Sequence, residues 1–239
     1  MQFGAHSETN LSSRLGAIGK PSSDPAVKAF VMKVFAWMST GLLITALMAV
    51  VVARSPRLIR MVGESAWVLF LVEIGLVLLI SLGINHLSST VATGLFLLYS
   101  AVNGLTLSFI FLVYTTASIS STFFITAGVF GGMAAYGYFT KRDLTSWGSL
   151  GLMGLIGIIL ASIVNWFLQS EALYWGITYI GVIIFVGLTA YDTQKVKMMA
   201  EAGGDEETRS KGAVLGALSL YLDFILLFLY LLRIFGKRR

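Results

Sequence analysis

From Val27 onward the chain is written as long apolar stretches separated by short polar ones. Seven such stretches cover approximately residues 30–53, 66–84, 90–115, 119–140, 149–169, 172–197 and 214–235. Each matches the roughly 20 helical residues needed to cross a hydrocarbon core of about 30 Å. Barrel strands would be about ten residues long and alternate in polarity, and these stretches do neither. The pattern predicts an all-α membrane protein, a seven-helix bundle over residues 27–239. Residues 1–26 carry Ser, Gly, Pro21 and Pro25 without apolar periodicity, which predicts a mobile polar tail. A secretory signal would need an apolar core there.

Composition agrees. Hydrophobic residues make up 56% and charged residues 12%, against about 25% charged in an ordinary soluble domain. Mean hydropathy is +0.83. Cys is absent, which excludes disulfides, thiolate metal sites and a cysteine nucleophile; His6 and His86 are too few for a multi-histidine metal centre. The net charge of +5 comes from clusters between spans, so it reads as membrane-flanking charge and not as a nucleic-acid surface. With the N-terminus inside and seven crossings, ten Lys and Arg fall inside and seven outside, a weak positive-inside bias. A final span that dipped in and returned would sharpen that bias, but its length favours a full crossing.

The five tryptophans (Trp37, Trp67, Trp147, Trp166, Trp175) fall near span ends, where an amphipathic ring prefers the interface. All three prolines lie outside the spans. Glycines lie inside: Gly128 and Gly132 form a GxxxG pair, and Gly148, Gly151, Gly154 and Gly157 recur every third residue. Small residues let helix backbones approach in lipid, so these predict packing faces.

Three carboxylates sit at membrane depth: Glu73, Asp192 and Asp223. An Asp at a helix centre costs about 2.5–3.5 kcal/mol on insertion scales, so such residues face the bundle interior. Glu73 is expected to hydrogen-bond a neighbouring helix near Asn103 or Tyr99. Arg233, in the last turns of the final span, is expected to anchor at the interface by snorkelling. Helix ends near Met198 and Val214, joined by a polar loop over Glu201 to Lys211, would put Asp192 about 9 Å and Asp223 about 15 Å deep. The two could then meet. Charges about 4 Å apart at an effective dielectric near 20 repel by about 4 kcal/mol, so a facing pair holds one proton between them and titrates in coupled steps. Doubly ionised, Asp192 and Asp223 would be oxygen ligands suited to Ca²⁺. Tyr191, Tyr221, Ser219, Thr189 and Asn103 add polar groups that line a pathway or glue helices together.

The segment Leu218-Ser-Leu-Tyr-Leu-Asp-Phe-Ile-Leu-Leu-Phe-Leu-Tyr-Leu-Leu-Arg-Ile-Phe-Gly236 resembles the last helix of the Bax inhibitor-1 (transmembrane Bax inhibitor motif) family. Tyr191-Asp192-Thr-Gln-Lys-Val-Lys197 resembles that family's sixth-helix end, and Glu73 its second-helix glutamate. The likeness spans about residues 27–236, and the bacterial inner-membrane branch fits best. It implies a bundle with the C-terminal helix central, enclosed by the other six. It further implies a pH-sensitive Ca²⁺ leak gated by Asp192 and Asp223, with no catalytic residues and no cofactor beyond Ca²⁺ as the transported ion. Some bacterial members are linked to a membrane-bound ATP-dependent protease, which adds a protease partner to the lipid bilayer, Ca²⁺ and protons. One departure stands out. Members described as leaks latch an arginine of the second helix onto the aspartates, whereas here that helix ends Ile84-Asn85-His86. An intramembrane aspartyl protease is the enzymatic alternative. Tyr191-Asp192 matches half of that signature, but Asp223 lacks the Gly-x-Gly-Asp setting and no Pro-Ala-Leu follows.

Overall fold

A computed structural model describes residues 25–239. The tail expected over residues 1–26 therefore lies, up to residue 24, outside the described residues. The described residues form nine helices: α1 (Pro25–Ala53), α2 (Pro56–Glu64), α3 (Ala66–Gly83), α4 (Ser89–Leu107), α5 (Ile110–Val113), α6 (Thr116–Phe139), α7 (Thr145–Leu168), α8 (Glu171–Ala202) and α9 (Glu206–Phe235). Seven are long and apolar enough to cross a membrane, α4 together with α5 counting as one. The chain is an all-α, multi-pass membrane bundle.

Local chemistry sets the boundaries. Pro25 and Pro56 each occupy a first helical position, where the missing N–H costs nothing. Ser88, Thr115, Ser170 and Asp205 cap the next helices by accepting from the backbone N–H three residues on. Within the third span Ser108 interrupts the helix between α4 and α5, its hydroxyl donating to the Leu105 carbonyl at 2.6 Å. The segment between the first two spans, expected as a loop, holds the short helix α2. Arg57 and Arg60 are exposed there and Val62 is buried.

Burial separates the helices into tiers. The richest 18-residue window of α9 is 67% buried, against 11% for α3 and α7. The C-terminal helix is thus central, but six helices do not enclose it equally. It packs chiefly on α8, α1, α6 and α4, while α3 leans on α4 and α7 on α8. The reason lies in the side chains. α9 presents small and large apolar residues all round (Ala213, Gly216, Ala217, Leu220, Phe224, Leu227, Leu231), whereas α3 and α7 keep exposed Leu and Ile on their lipid faces.

Polar ties fasten both ends of the bundle. At one end the first turn of α9 meets α4 and α1. Glu207 accepts from the Ser89 N–H at 2.6 Å and from its hydroxyl at 2.7 Å, and Lys33 lies 3.6 Å from Glu206. There too Gln194 bridges the α6–α7 loop, accepting from Leu144 N–H at 2.9 Å and donating to the Arg142 carbonyl at 2.8 Å. At the other end the C-terminus meets the turn before α6. Thr115 N–H donates to Lys237 O and Arg239 N–H to Val113 O, both at 3.0 Å. The last helix therefore runs from one end of the bundle to the other, and a dipping final span does not occur.

The glycines divide. Cβ atoms built at Gly148, Gly151 and Gly154 would strike Tyr191, Leu188 and Ile184, so these glycines receive a ridge of α8, as expected. Gly128, Gly132 and Gly157 face open space. Their spacing satisfied the small-residue pattern, but rotation of α6 and α7 turns them outward. The close crossings use isolated glycines instead: Gly104 against Thr45 and Met48, and Gly137 against the Ala190 backbone.

Candidate functional site

Both α8 and α9 run past the apolar segments. Asp192 lies ten residues before the end of α8, and Asp223 seventeen after the start of α9, because helix continues through the polar residues up to Ala202 and again from Glu206. Only Gly203, Gly204 and Asp205 join the two. Gly203 and Gly204 take φ of 71° and 124°, which favours glycine. The expected polar loop is therefore mostly helix: hydropathy marks where the membrane ends, and hydrogen bonding decides where the helix does. Outside the spans, Asp205 caps Thr208 at 2.9 Å, and the hydrogen bonds from Thr208 hold its carboxyl below the usual aspartate range. Asp143, in the α6–α7 loop, is lowered likewise by Thr145.

Inside the bundle the carboxyl groups of Asp192 on α8 and Asp223 on α9 lie within electrostatic reach of each other. Two carboxylates both lack a donor, so a hydrogen bond between them requires a proton on one. Asp223 is 5% exposed, and no N–H or O–H of another described residue reaches its Oδ2. Asp192 is half-buried, with Lys195 further along α8 supplying a nearby positive charge. That lysine is exposed and acts on Asp192; sequence reading missed it because its position follows from the continuation of α8. Ser219 and Tyr191 make no hydrogen bond to either carboxyl, and Thr189 donates to the Phe185 carbonyl at 2.7 Å instead. Sharing a helix face was not enough. Among the described residues no group of three or more His, Cys, Asp or Glu gathers to hold a metal.

A second polar cluster crosses α9, α1, α4 and α3. The Tyr221 and Thr45 hydroxyls are 2.6 Å apart, and Thr45 donates to the Ser100 carbonyl at 2.8 Å. Thr45 spends its one hydrogen on Ser100, so Tyr221 is the donor in their contact. The Tyr221 ring meets Phe96 and Tyr99 edge-on, each with centroids 5.7 Å away. Asn103 donates to the Tyr99 hydroxyl at 3.2 Å while its own Oδ1 is buried without a partner. Glu73 hydrogen-bonds α4 close to Asn103, as expected, and its partner there is Thr106 at 2.6 Å. Thr106 also lies 2.9 Å from the Asn103 carbonyl, which can only accept. Both Thr106 contacts are made in full when Glu73 carries the hydrogen. Arg233 is exposed and stacks on Tyr174 at 5.3 Å and Tyr230 at 5.2 Å.

An acidic pair between the last two helices of a seven-span bundle defines a class of polytopic membrane protein, and comparison supplies the family. Residues 27–239 match the family model described as inhibitor of apoptosis-promoting Bax1. The chain is 52% identical over 230 residues to the inner membrane protein YbhL of Escherichia coli (strain K12), covering 92% of this chain and 98% of that one. It is 50% identical to an uncharacterized protein of Borreliella burgdorferi, covering 88% and 92%. With the uncharacterized protein YrjE of Lactococcus lactis it shares 37% identity, covering 88% and 91%. The chain belongs to the Bax inhibitor-1 family. It is a multi-pass protein of the inner membrane, seated in the lipid bilayer.

Proposed function

We propose that this protein is a pH-sensitive Ca²⁺ leak gated by Asp192 and Asp223. What supports the reading is the placement of the Asp192 and Asp223 carboxyls within electrostatic reach of each other between α8 and α9. While one proton is shared, the pair closes the seam between those helices. Loss of that proton leaves two charges, whose repulsion of about 4 kcal/mol at 4 Å and effective dielectric 20 drives the helices apart. The same event creates a pair of hard oxygen ligands for Ca²⁺, which takes six to eight oxygens at rest. Two carboxylates offer fewer, so the ion is cargo passing through and not a resident. Lys195 sets a positive charge near Asp192 and stands in for the latching arginine that the family resemblance implies and this chain lacks. Glu73 and Tyr221, with Asn103, brace α3, α4 and α1 against the moving helix.

The test is Ca²⁺ entry into dye-loaded liposomes across pH. Flux should rise as pH rises, and Asp192→Asn or Asp223→Asn should flatten that profile. Unchanged flux and profile in both variants would refute the gate.

A second reading, a non-transporting regulator of a membrane-bound protease, is favoured by the open face of α6 at Gly128, Gly131 and Gly132, where a Cβ would meet no other described residue within 4 Å. It predicts that Gly128→Leu and Gly132→Leu abolish regulation while leaving flux intact. The aspartyl-protease alternative would instead require cleavage of a helical substrate, lost in Asp192→Ala.

A further inference from the structure

Two cavities meet at the end of the bundle where α8 begins and α9 ends. The first, about 760 Å³, is lined by Trp166, Gln169, Glu171, Tyr174, Arg233 and Arg238 among others. The second, about 670 Å³, is almost wholly apolar, with Ile159, Ile163, Trp166, Phe185, Leu226 and Tyr230 in its walls. Trp166 lines both. Tyr230 joins them again, since it lines the apolar cavity while Arg233, of the polar one, rests on its ring. Both volumes fall in the roughly 300–1,000 Å³ range of small-ligand sites.

We propose that the pair of cavities is a binding site for one phospholipid with a net negative headgroup, its phosphate on Arg233 and Arg238 and an acyl chain in the groove between α7 and α9. Charge decides the head. Neither arginine forms an ion pair among the described residues. Glu171 is the one acidic residue in the lining, so the cavity keeps a positive balance. Arg presents a planar fork that takes two phosphate oxygens at once. Tyr174 and Tyr230 hold the Arg233 guanidinium by its faces, which leaves its N–H edge free. Exposure decides the tail. Ile159, Ile163, Trp166 and Phe167 are 51%, 53%, 75% and 80% exposed, so the apolar cavity opens toward lipid. A soluble anion would use only the first cavity and a hydrophobic solute only the second. An anionic amphiphile uses both, and the aromatic ring of Trp166 at their junction suits the boundary between headgroup and chain.

The full chain in detergent, titrated with phosphatidylglycerol or phosphatidylcholine and read by native mass spectrometry, tests this. Phosphatidylglycerol should be retained preferentially. The double variant Arg233→Gln, Arg238→Gln should weaken that retention about ten-fold or more, as expected for loss of two charge-assisted contacts. Ser162→Trp, which fills the apolar cavity without touching either arginine, should weaken it too. Arg233→Lys, which keeps charge but loses the fork, should fall between. Equal retention of the two lipids, or no effect of the double variant, would overturn the site. Displacement by millimolar glycerol phosphate together with a silent Ser162→Trp would overturn the lipid in favour of a free phosphate ester.

Discussion

Gly104 offers a direct measure of how tightly this bundle is closed. A Cβ placed there would lie 2.6 Å from the Thr45 carbonyl oxygen, 2.7 Å from Met48 Cβ and 3.1 Å from Thr45 Cα. Two of these three atoms belong to backbone and cannot rotate away. To reach an ordinary separation of about 3.5 Å, α1 and α4 must part by roughly 0.8–1 Å. Overpacking of this kind costs about 1–3 kcal/mol. Parting also strains the hydrogen bond of Thr45 to Ser100 and its contact with Tyr221, bonds worth on average about 0.6 kcal/mol each between membrane helices. Gly128 is the control. It meets nothing within 4 Å, so Gly128→Ala should gain up to about 1 kcal/mol from helix propensity alone. Gly104→Ala receives the same gain and still loses overall. A gap of about 2–4 kcal/mol between the two variants is expected. Reversible unfolding in mixed micelles, followed by tryptophan fluorescence, measures it. Should the variants unfold within about 0.5 kcal/mol of each other, less than a typical core effect, the close α1–α4 crossing is not what holds this face.

Tyr221→Phe keeps the ring contacts and deletes the hydroxyl; a loss of about 0.6–1.7 kcal/mol in the same unfolding assay is expected, and no loss would show that Thr45 finds another donor. Glu73→Gln should unfold within about 0.5 kcal/mol of the parent because a neutral amide can still pair with Thr106, while Glu73→Lys should fail to give a stable bundle; equal behaviour of the two would refute a hydrogen-bonded, uncharged role. For the α9 cap the sign follows from its direction. Asp205 is held below the usual aspartate range by Thr208, so its stabilisation is present at and above that range and fades as pH falls through the lowered value. The protection factor for amide exchange at the first turn of α9 should accordingly stay high and flat from neutral to mildly acidic pH, then fall in strong acid. Asp205→Ala should show low protection throughout, and identical profiles would remove the cap.

Hydropathy alone determined the seven spans, because each must hide about 20 residues of backbone from the bilayer core and apolar helix is what does so. It also marked Glu73, Asp192 and Asp223, since a carboxyl in an apolar run is conspicuous at any rotation. Residue patterns carried the family resemblance. What linear spacing could not carry was rotation about each helix axis. Gly128 and Gly132 show the spacing of a packing motif yet look outward, while lone Gly104 and Gly137 sit directly against the backbone of a neighbouring helix. Ser219, four residues before Asp223, shares its helix face but not its hydrogen bonding, and which residue near Asn103 meets Glu73, Thr106, was set by packing. Helix ends past the membrane were equally hidden, because hydrogen-bonded backbone continues through polar sequence without any apolar signal. Only the packed bundle decided which faces turn inward, and with that which polar atoms meet.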